Sequence, residues 1–254
     1  MTFLTIWPST QTSANKLAMT FAALCFAAQT AQAGNDIETL NFDSRADFKH
    51  FADSIANVFG YKPLQPAESL GLSGFDVGAS LNFAETNYKL SNQSERDRDM
   101  LPMIGVHAQK GLPGGWDVGL HYQMLSDSQA SSWTGEVRYA LVEGGTANPA
   151  VSLSGHFTQA SGIEALSYTA YGIDLAVSKG FANLTPYAGI GWTLAKVDPK
   201  VDNLQPAVSL KTEERDLVRF AAGMNINLLV MDVLVGYNQI GELGTYSIKA
   251  GYRF

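Results

Sequence analysis

From residue 72 onward, apolar and polar positions alternate in short runs. Phe75, Val77, Ala79, Leu81 and Phe83 are separated by Asp76, Gly78, Ser80 and Asn82. A period of two is the signature of a strand with one apolar and one polar face. Similar runs follow at 104–109, 116–124, 133–141, 151–157, 169–177, 188–194, 218–226, 231–237 and 246–254. This predicts ten strands; eight or twelve follow if one hairpin is misread. No run approaches 18 consecutive apolar residues, so membrane-spanning helices are not expected. Tilted strands of roughly 9–11 residues do cross a bilayer, and an even number closes a barrel. The fold class expected is all-β, an antiparallel up-and-down barrel with apolar residues toward lipid and polar residues toward the lumen.

The connections support that topology. Stretches 86–100 and 197–216 are long and polar, whereas 111–115, 143–148, 179–183 and 227–230 are short. The two long stretches follow the first and seventh strands, which run in the same direction. Long loops belong outside the cell and short turns in the periplasm.

Residues 34–70 break the pattern. Asp43 or Ser44 can cap a helix over 45–59, which places Phe48, Phe51, Ile55 and Val58 on one face. Gly60 stops it, and Pro63 and Pro66 make an extended link. The apolar stripe must be buried, whether as a lumen plug, a cap on the periplasmic mouth or an anchor on the membrane surface. A plug of lumen or mouth is the reading preferred here.

The amino-terminal residues have a different character. Lys16 precedes a short apolar run, Leu17 to Ala28, and then Ala31-Gln32-Ala33. This is a secretory signal peptide, with cleavage expected after Ala33. Three segments result: 1–33 as signal, 34–70 as helix and linker, and 71–254 as barrel. The only cysteine, Cys25, leaves with the signal. Losing Lys16 takes the formal charge from −7 to −8, because residues 1–33 hold no Asp or Glu. That acidity argues against nucleic acid as a partner.

The last strand carries the most specific signal. Tyr246, Ile248, Ala250, Tyr252 and Phe254 alternate with Ser247, Lys249, Gly251 and Arg253. This ending resembles the closing strand of Gram-negative outer-membrane β-barrel proteins, whose terminal aromatic pattern is read by the assembly machinery. The resemblance implies export through the Sec pathway, escort by periplasmic chaperones, insertion by the barrel-assembly machinery, and a place among lipid and lipopolysaccharide in the cell outer membrane. Tyr122, Trp133, Tyr139, Trp192, Tyr237 and Tyr252 then read as interface aromatics.

Candidate chemistry lies on the lumen face. A tight turn at 111–115 would set Lys110 against Trp116 and Gly105 against His121, with His107 diagonal to His121 and Asp117 nearby. Such a trio can bind a metal or move protons; it can equally be ordinary lumen filling, as can His156. Asp76, Asp117 and Asp232 open three strands near the turn end, and Lys249 and Arg253 lie on the terminal strand. Counting back from the loop at 241–244 sets Asp232 opposite Arg253, which would bridge Asp232 and Asp76 as an ion-pair network. The alternative is a charged constriction that selects ions.

Outer-membrane deacylases and phospholipases carry His-x-Ser on one strand face. Here the triplets are His107-Ala-Gln, His121-Tyr-Gln and His156-Phe-Thr, and Ser154-Gly-His156 has the reverse order. Omptin-type proteases share the strand number, but their catalytic groups sit near the extracellular rim. The mixed-charge stretch Glu95-Arg-Asp-Arg-Asp99 reads as a solvated loop tip. No catalytic residue, cofactor or metal is assigned. The reading is a narrow or plugged pore for small solutes or ions; the alternatives are a surface-interaction barrel and, last, a lumen or rim hydrolase.

Overall fold

The computed structural model describes residues 44–88, 97–126, 128–145, 148–200, 210–228 and 231–253, without the side chains of 88 and 97–99. The signal segment, residues 95–96 of the charged loop tip and Phe254 lie outside the described residues. Ten antiparallel strands form a closed barrel. They are β1 (Phe75–Tyr88), β2 (Asp97–Gly111), β3 (Trp116–Leu125), β4 (Ser131–Val142), β5 (Ala150–Ser161), β6 (Leu166–Ser178), β7 (Leu184–Pro199), β8 (Glu213–Leu228), β9 (Met231–Ile240) and β10 (Leu243–Arg253). Each strand pairs with its sequence neighbours, and β1 closes against β10 from Asp76↔Arg253 to Ala84↔Thr245.

Each alternating run lies within a strand, the last as far as Arg253, but several strands outrun their runs. β2 starts at Asp97 and β7 reaches Pro199, so the long connections shrink to 89–96 and 200–212. Backbone pairing continues past the apolar band into polar sequence, where side-chain alternation no longer marks it. These connections still share one end of the barrel, here called the loop end. The opposite, turn end holds the connections at 112–115 and 179–183. At 112–115 the chain reverses through Gly114 and Gly115, with φ of 76° and 78°, a backbone region that glycine enters without steric cost.

The register at this turn differs from the expected one by two residues. His107 lies opposite His121, and Lys110 opposite Val118. Leu112 N–H bonds the Trp116 carbonyl, so the turn consumes more chain than expected. Since side chains alternate with a period of two, this shift keeps every residue on its expected face.

Outside the barrel, Val106, Leu120, Tyr171, Ile173, Ile190 and Phe220 are half or more exposed, as are many similar residues around the wall. So large an apolar exterior is unfavourable in water and is the lipid-facing band of an outer-membrane barrel. Tyr122, Trp133, Tyr139, Trp192, Tyr237 and Tyr252 all belong to it.

The helix α1 (Arg45–Phe59) lies inside the barrel at the loop end. Ser44 caps it, its hydroxyl accepting from Asp47 N–H, and Gly60 closes it by bonding the Ala56 carbonyl. Burial increases along the helix: Arg45, Ala46 and Lys49 are exposed, while every residue from Ser54 to Phe59 is buried. Phe48, Phe51, Ile55, Val58 and Phe59 join one apolar cluster with Leu101, Met103, Leu125, Tyr168, Leu217 and Ile240 of the wall. Full burial of such a side chain is worth about 1.5–3 kcal/mol, so five together make a firm seat.

With loops outside the cell, protease added to intact cells should cut within 200–212 and leave 112–115 untouched. Fragment masses check this, and cleavage confined to 112–115 would invert the orientation.

Candidate functional site

A ten-stranded wall leaves space at its axis, and here the chain itself fills it. After α1, residues Tyr61–Leu70 descend through the lumen to the start of β1. The inward residues of β4 mark the descent in order. Ser132 Oγ donates to the Phe59 carbonyl at 3.0 Å. Glu136 accepts from Tyr61 Oη at 2.7 Å and from Gln65 Nε2 at 3.0 Å. Arg138 donates to the Pro66 carbonyl at 2.9 Å and to the Glu68 carbonyl at 3.3 Å. Leu70 N–H then reaches Asp117 at 3.0 Å, and the Leu72 carbonyl accepts from Lys110 at 2.6 Å. A buried backbone needs partners for its polar groups, and the wall supplies them at each level.

The helix is anchored similarly. Asn57 Nδ2 donates to the carbonyls of Glu85 and Gly244 at 2.8 and 2.9 Å, and its Oδ1 accepts from Thr245 at 3.1 Å. Asp53 pairs with both arms of Arg215 at 2.6 and 3.0 Å. Below, Lys62 Nζ donates to the carbonyls of Asn57, Val58 and Gly60 at 2.8–3.0 Å. These are unpaired acceptors of the helix end, where a cation is favoured.

Lumen charges meet across inward glycines. Asp174 of β6 and Arg219 of β8 both face Gly191 of β7 in register. A Cβ at Gly191 would run into the Asp174 carboxylate; without it, the guanidinium binds the carboxylate through Nε at 2.8 Å and through Nη2. Arg219 also reaches the Tyr61 carbonyl at 2.9 Å and sits over the Tyr61 ring. Gln109 and Glu136 likewise flank Gly119 and bond at 3.2 Å. Buried Arg138, Arg219 and Lys249 are matched by Asp76, Asp117, Asp174 and Asp232.

Asp76, Asp232 and Lys249 converge. Lys249 lies 2.8 Å from Asp76 and 3.5 Å from Asp232. Its side chain runs toward the turn end past Gly78 and Gly251, which face each other in register. Arg253 is not the bridge expected. Asp232 faces Gly251, not Arg253, because the β9–β10 hairpin turns in only two residues, Gly241 and Glu242. Arg253 instead donates to the Glu68 carbonyl at 3.1 Å. Asp117 joins Arg138 at 2.7 Å.

The three histidines all face the lumen but serve separate partners. His107 Nε2 lies 2.8 Å from Asp76, and His121 Nε2 lies 3.2 Å from Glu136. Their rings stack at 5.9 Å, so no carboxylate bridges them, and Asp117 belongs to Arg138. His156 Nε2 accepts from Arg219 at 2.7 Å, which puts its proton on Nδ1. Ser154 shares the lumen face, but the His156 nitrogen that would serve as base is occupied by the guanidinium. Among the described residues, no three His, Cys, Asp or Glu side chains are grouped as a metal would require.

Tyr61, Gln65, Glu136, Arg138, Asp174 and Arg219 were not singled out from the sequence. The four wall residues could have been, since all fall on the polar face of their strands. Tyr61 and Gln65 carried no such signal, because the extended linker has no period.

No protein-family model and no curated protein matches the chain. Solved structures with a similar chain course are outer-membrane barrels of varied roles. The β-domain of the Bordetella autotransporter BrkA matches at 14% identity and TM-score 0.42, over 71% of this chain and 98% of that one. LpxR from Salmonella typhimurium matches at 9% and 0.40, over 72% and 100%. The KdgM porin matches at 10% and 0.35, over 69% and 99%. Likenesses this distant carry no argument about activity.

Breaking a buried pair by removing one partner costs about 3–5 kcal/mol. Lys249→Met should therefore lower the urea midpoint of the folded barrel far more than Ser152→Ala. Adding Asp76→Asn and Asp232→Asn should recover much of the loss, because no carboxylate is then left unpaired. Equal midpoints for Lys249→Met and wild type would refute the bridging role.

Proposed function

We propose that the protein is an outer-membrane conduit for small polar solutes or ions, held shut by its own residues 44–70. One observation supports this above others: the wall around the linker is polar, charged and rich in inward glycine. A barrel of about eight strands can fill its lumen with its own side chains, whereas ten strands leave space at the axis. Here the filling is a separate segment held by hydrogen bonds and ion pairs, and its departure would leave an aqueous, hydrophilic passage. With both charge signs on the wall, such a passage would favour neither cations nor anions strongly. The reading asks no catalysis of the lumen histidines.

The apolar seat of α1 favours a second reading. Five large side chains buried in the loop end tie the helix down far more firmly than a gate requires. On that reading the barrel stays closed, and its loops at 89–96 and 200–212 act on lipopolysaccharide or another surface partner.

Planar bilayer recordings separate the two. Wild-type protein should be silent under either reading. A variant lacking residues 44–70, shown by heat-modifiable migration to be folded, should conduct under the first reading. The paired change Glu136→Gln with Arg138→Gln, which loosens the linker and keeps the helix, should stay silent, because α1 still fills the loop end. A folded deletion variant that stays silent would leave the scaffold reading.

A further inference from the structure

In an even-stranded barrel, the first and last strands start and finish at the same end. This barrel obeys that rule, with Phe75 and Arg253 both at the turn end. The chain ahead of β1 does not stay there. Its contacts climb the wall from Lys110 and Asp117 at Leu72 and Leu70, through Arg138 at Pro66 and Glu136 at Tyr61, to Ser132 at Phe59. They continue to Asn87 at Ser54 and Arg215 at Asp53, both at the loop end. Arg45 pairs with Glu213, the first residue of β8, at 2.7 Å. Burial follows the same gradient, complete from Ser54 to Phe59 and lost at Arg45 and Ala46. The two ends of the described chain therefore lie at opposite ends of the barrel.

We infer that the barrel carries the amino-terminal end of its own chain through its lumen, so that whatever precedes Ser44 is displayed on the side of the long loops. With the long loops outside, an exported chain, which starts on the periplasmic side, must pass residues ahead of Ser44 across the membrane during assembly. The wall is suited to that passage. Inward Gly78, Gly105, Gly119, Gly191 and Gly251 add no side chains to it, and acceptors and donors at every level can receive an extended backbone. The apolar face of α1 then lodges against Leu101, Met103, Leu125 and Leu217 and holds the segment in place.

The inference needs the polarity of the threaded chain, not the identity of the side that faces the medium. The test is built to keep these apart. The only cysteine lies at position 25, within the expected signal, so single cysteines can be introduced cleanly. Three variants are compared: Asn41→Cys ahead of the helix, Lys211→Cys beside the β7–β8 loop, and Pro113→Cys in the turn. Each is exposed to a polyethylene-glycol maleimide too large for porins, on intact cells and after the outer membrane is permeabilised.

Asn41→Cys should label under the same conditions as Lys211→Cys and opposite to Pro113→Cys. If Lys211→Cys and Pro113→Cys exchange their expected behaviour, the assignment of loops to the exterior fails, while tracking of Asn41→Cys with Lys211→Cys still upholds the inference. Tracking with Pro113→Cys overturns it. Should Asn41→Cys label under neither condition, a hydrophilic epitope inserted between Asp36 and Ile37 decides. Antibody binding on the side where Lys211→Cys reacts supports the inference, and binding only on the other side overturns it. Heat-modifiable migration of each variant confirms that the barrel formed.

Discussion

The constraint behind this structure is that ten strands enclose more space than their own inward side chains fill. A lumen left to water would have its charged groups hydrated; a lumen closed to water must pair every one of them, because an unpartnered polar group in a low-dielectric interior is costly. The chain meets much of this demand with a single extended segment, though the side-chain oxygens of Gln65, Gln109 and Asn225 are buried without a hydrogen-bond partner. Residues 61–70 bring backbone groups to a wall that has little backbone to offer inward. The wall in turn supplies Glu136, Arg138, Asp117 and Arg219, each bonded both to the linker and to another strand. Taking away the linker would strip partners from all four at once, so wall and plug depend on each other.

Glycine sets where those charges can sit. An inward glycine removes the side chain between two strands, and a long charged residue on either side can then reach across. Asp174 and Arg219 meet over Gly191, and Gln109 meets Glu136 over Gly119. Lys249 passes Gly78 and Gly251 to reach Asp76. Ser80, directly opposite Lys249 in register, is not its partner. Pairing in this barrel therefore follows the gaps as much as the register. That is why counting positions along the terminal strand correctly finds the carboxylates Asp76 and Asp232 but names Arg253, not Lys249, as their bridge.

The architecture was legible in the sequence because its strongest terms repeat. Lipid demands an apolar residue at every second position, and ten such runs fixed the strands and their faces. Asp43 or Ser44, the Phe48–Val58 stripe and Gly60 bounded the helix to within about a residue, and Ser44 is the cap. What remained hidden is nonperiodic or long-range. Hairpin register depends on how many residues a turn consumes, and both hairpin counts, at 112–115 and 241–242, were off by two. Asn57 and Ser54 lie off the apolar stripe, yet both are buried, because the second half of α1 is enclosed on all sides. No single helix face announces that. Polar residues with specific partners, Asn57 to Glu85, Gly244 and Thr245, replace the solvent that periodicity assumes.

The plug has two parts with different physics, and this bears on how it could move. The helix is seated mainly by apolar burial, with Asn57 and the Asp53–Arg215 pair as polar anchors beside it. The linker is held by hydrogen bonds and charge pairs, each exchangeable for water if water can enter. Beside the linker, small voids lie against Ser80, His107 and Thr134 on one side and against Ser152, Tyr187 and Ala221 on the other, with room for about 30 and 20 Å³ of water-sized occupancy. Each is on the order of one or two waters. Hydration can thus begin along the linker without disturbing the helix. Any opening of this barrel would start at Tyr61–Leu70, where solvent can replace protein partners one at a time, and would be complete only once α1 leaves its apolar seat at the loop end.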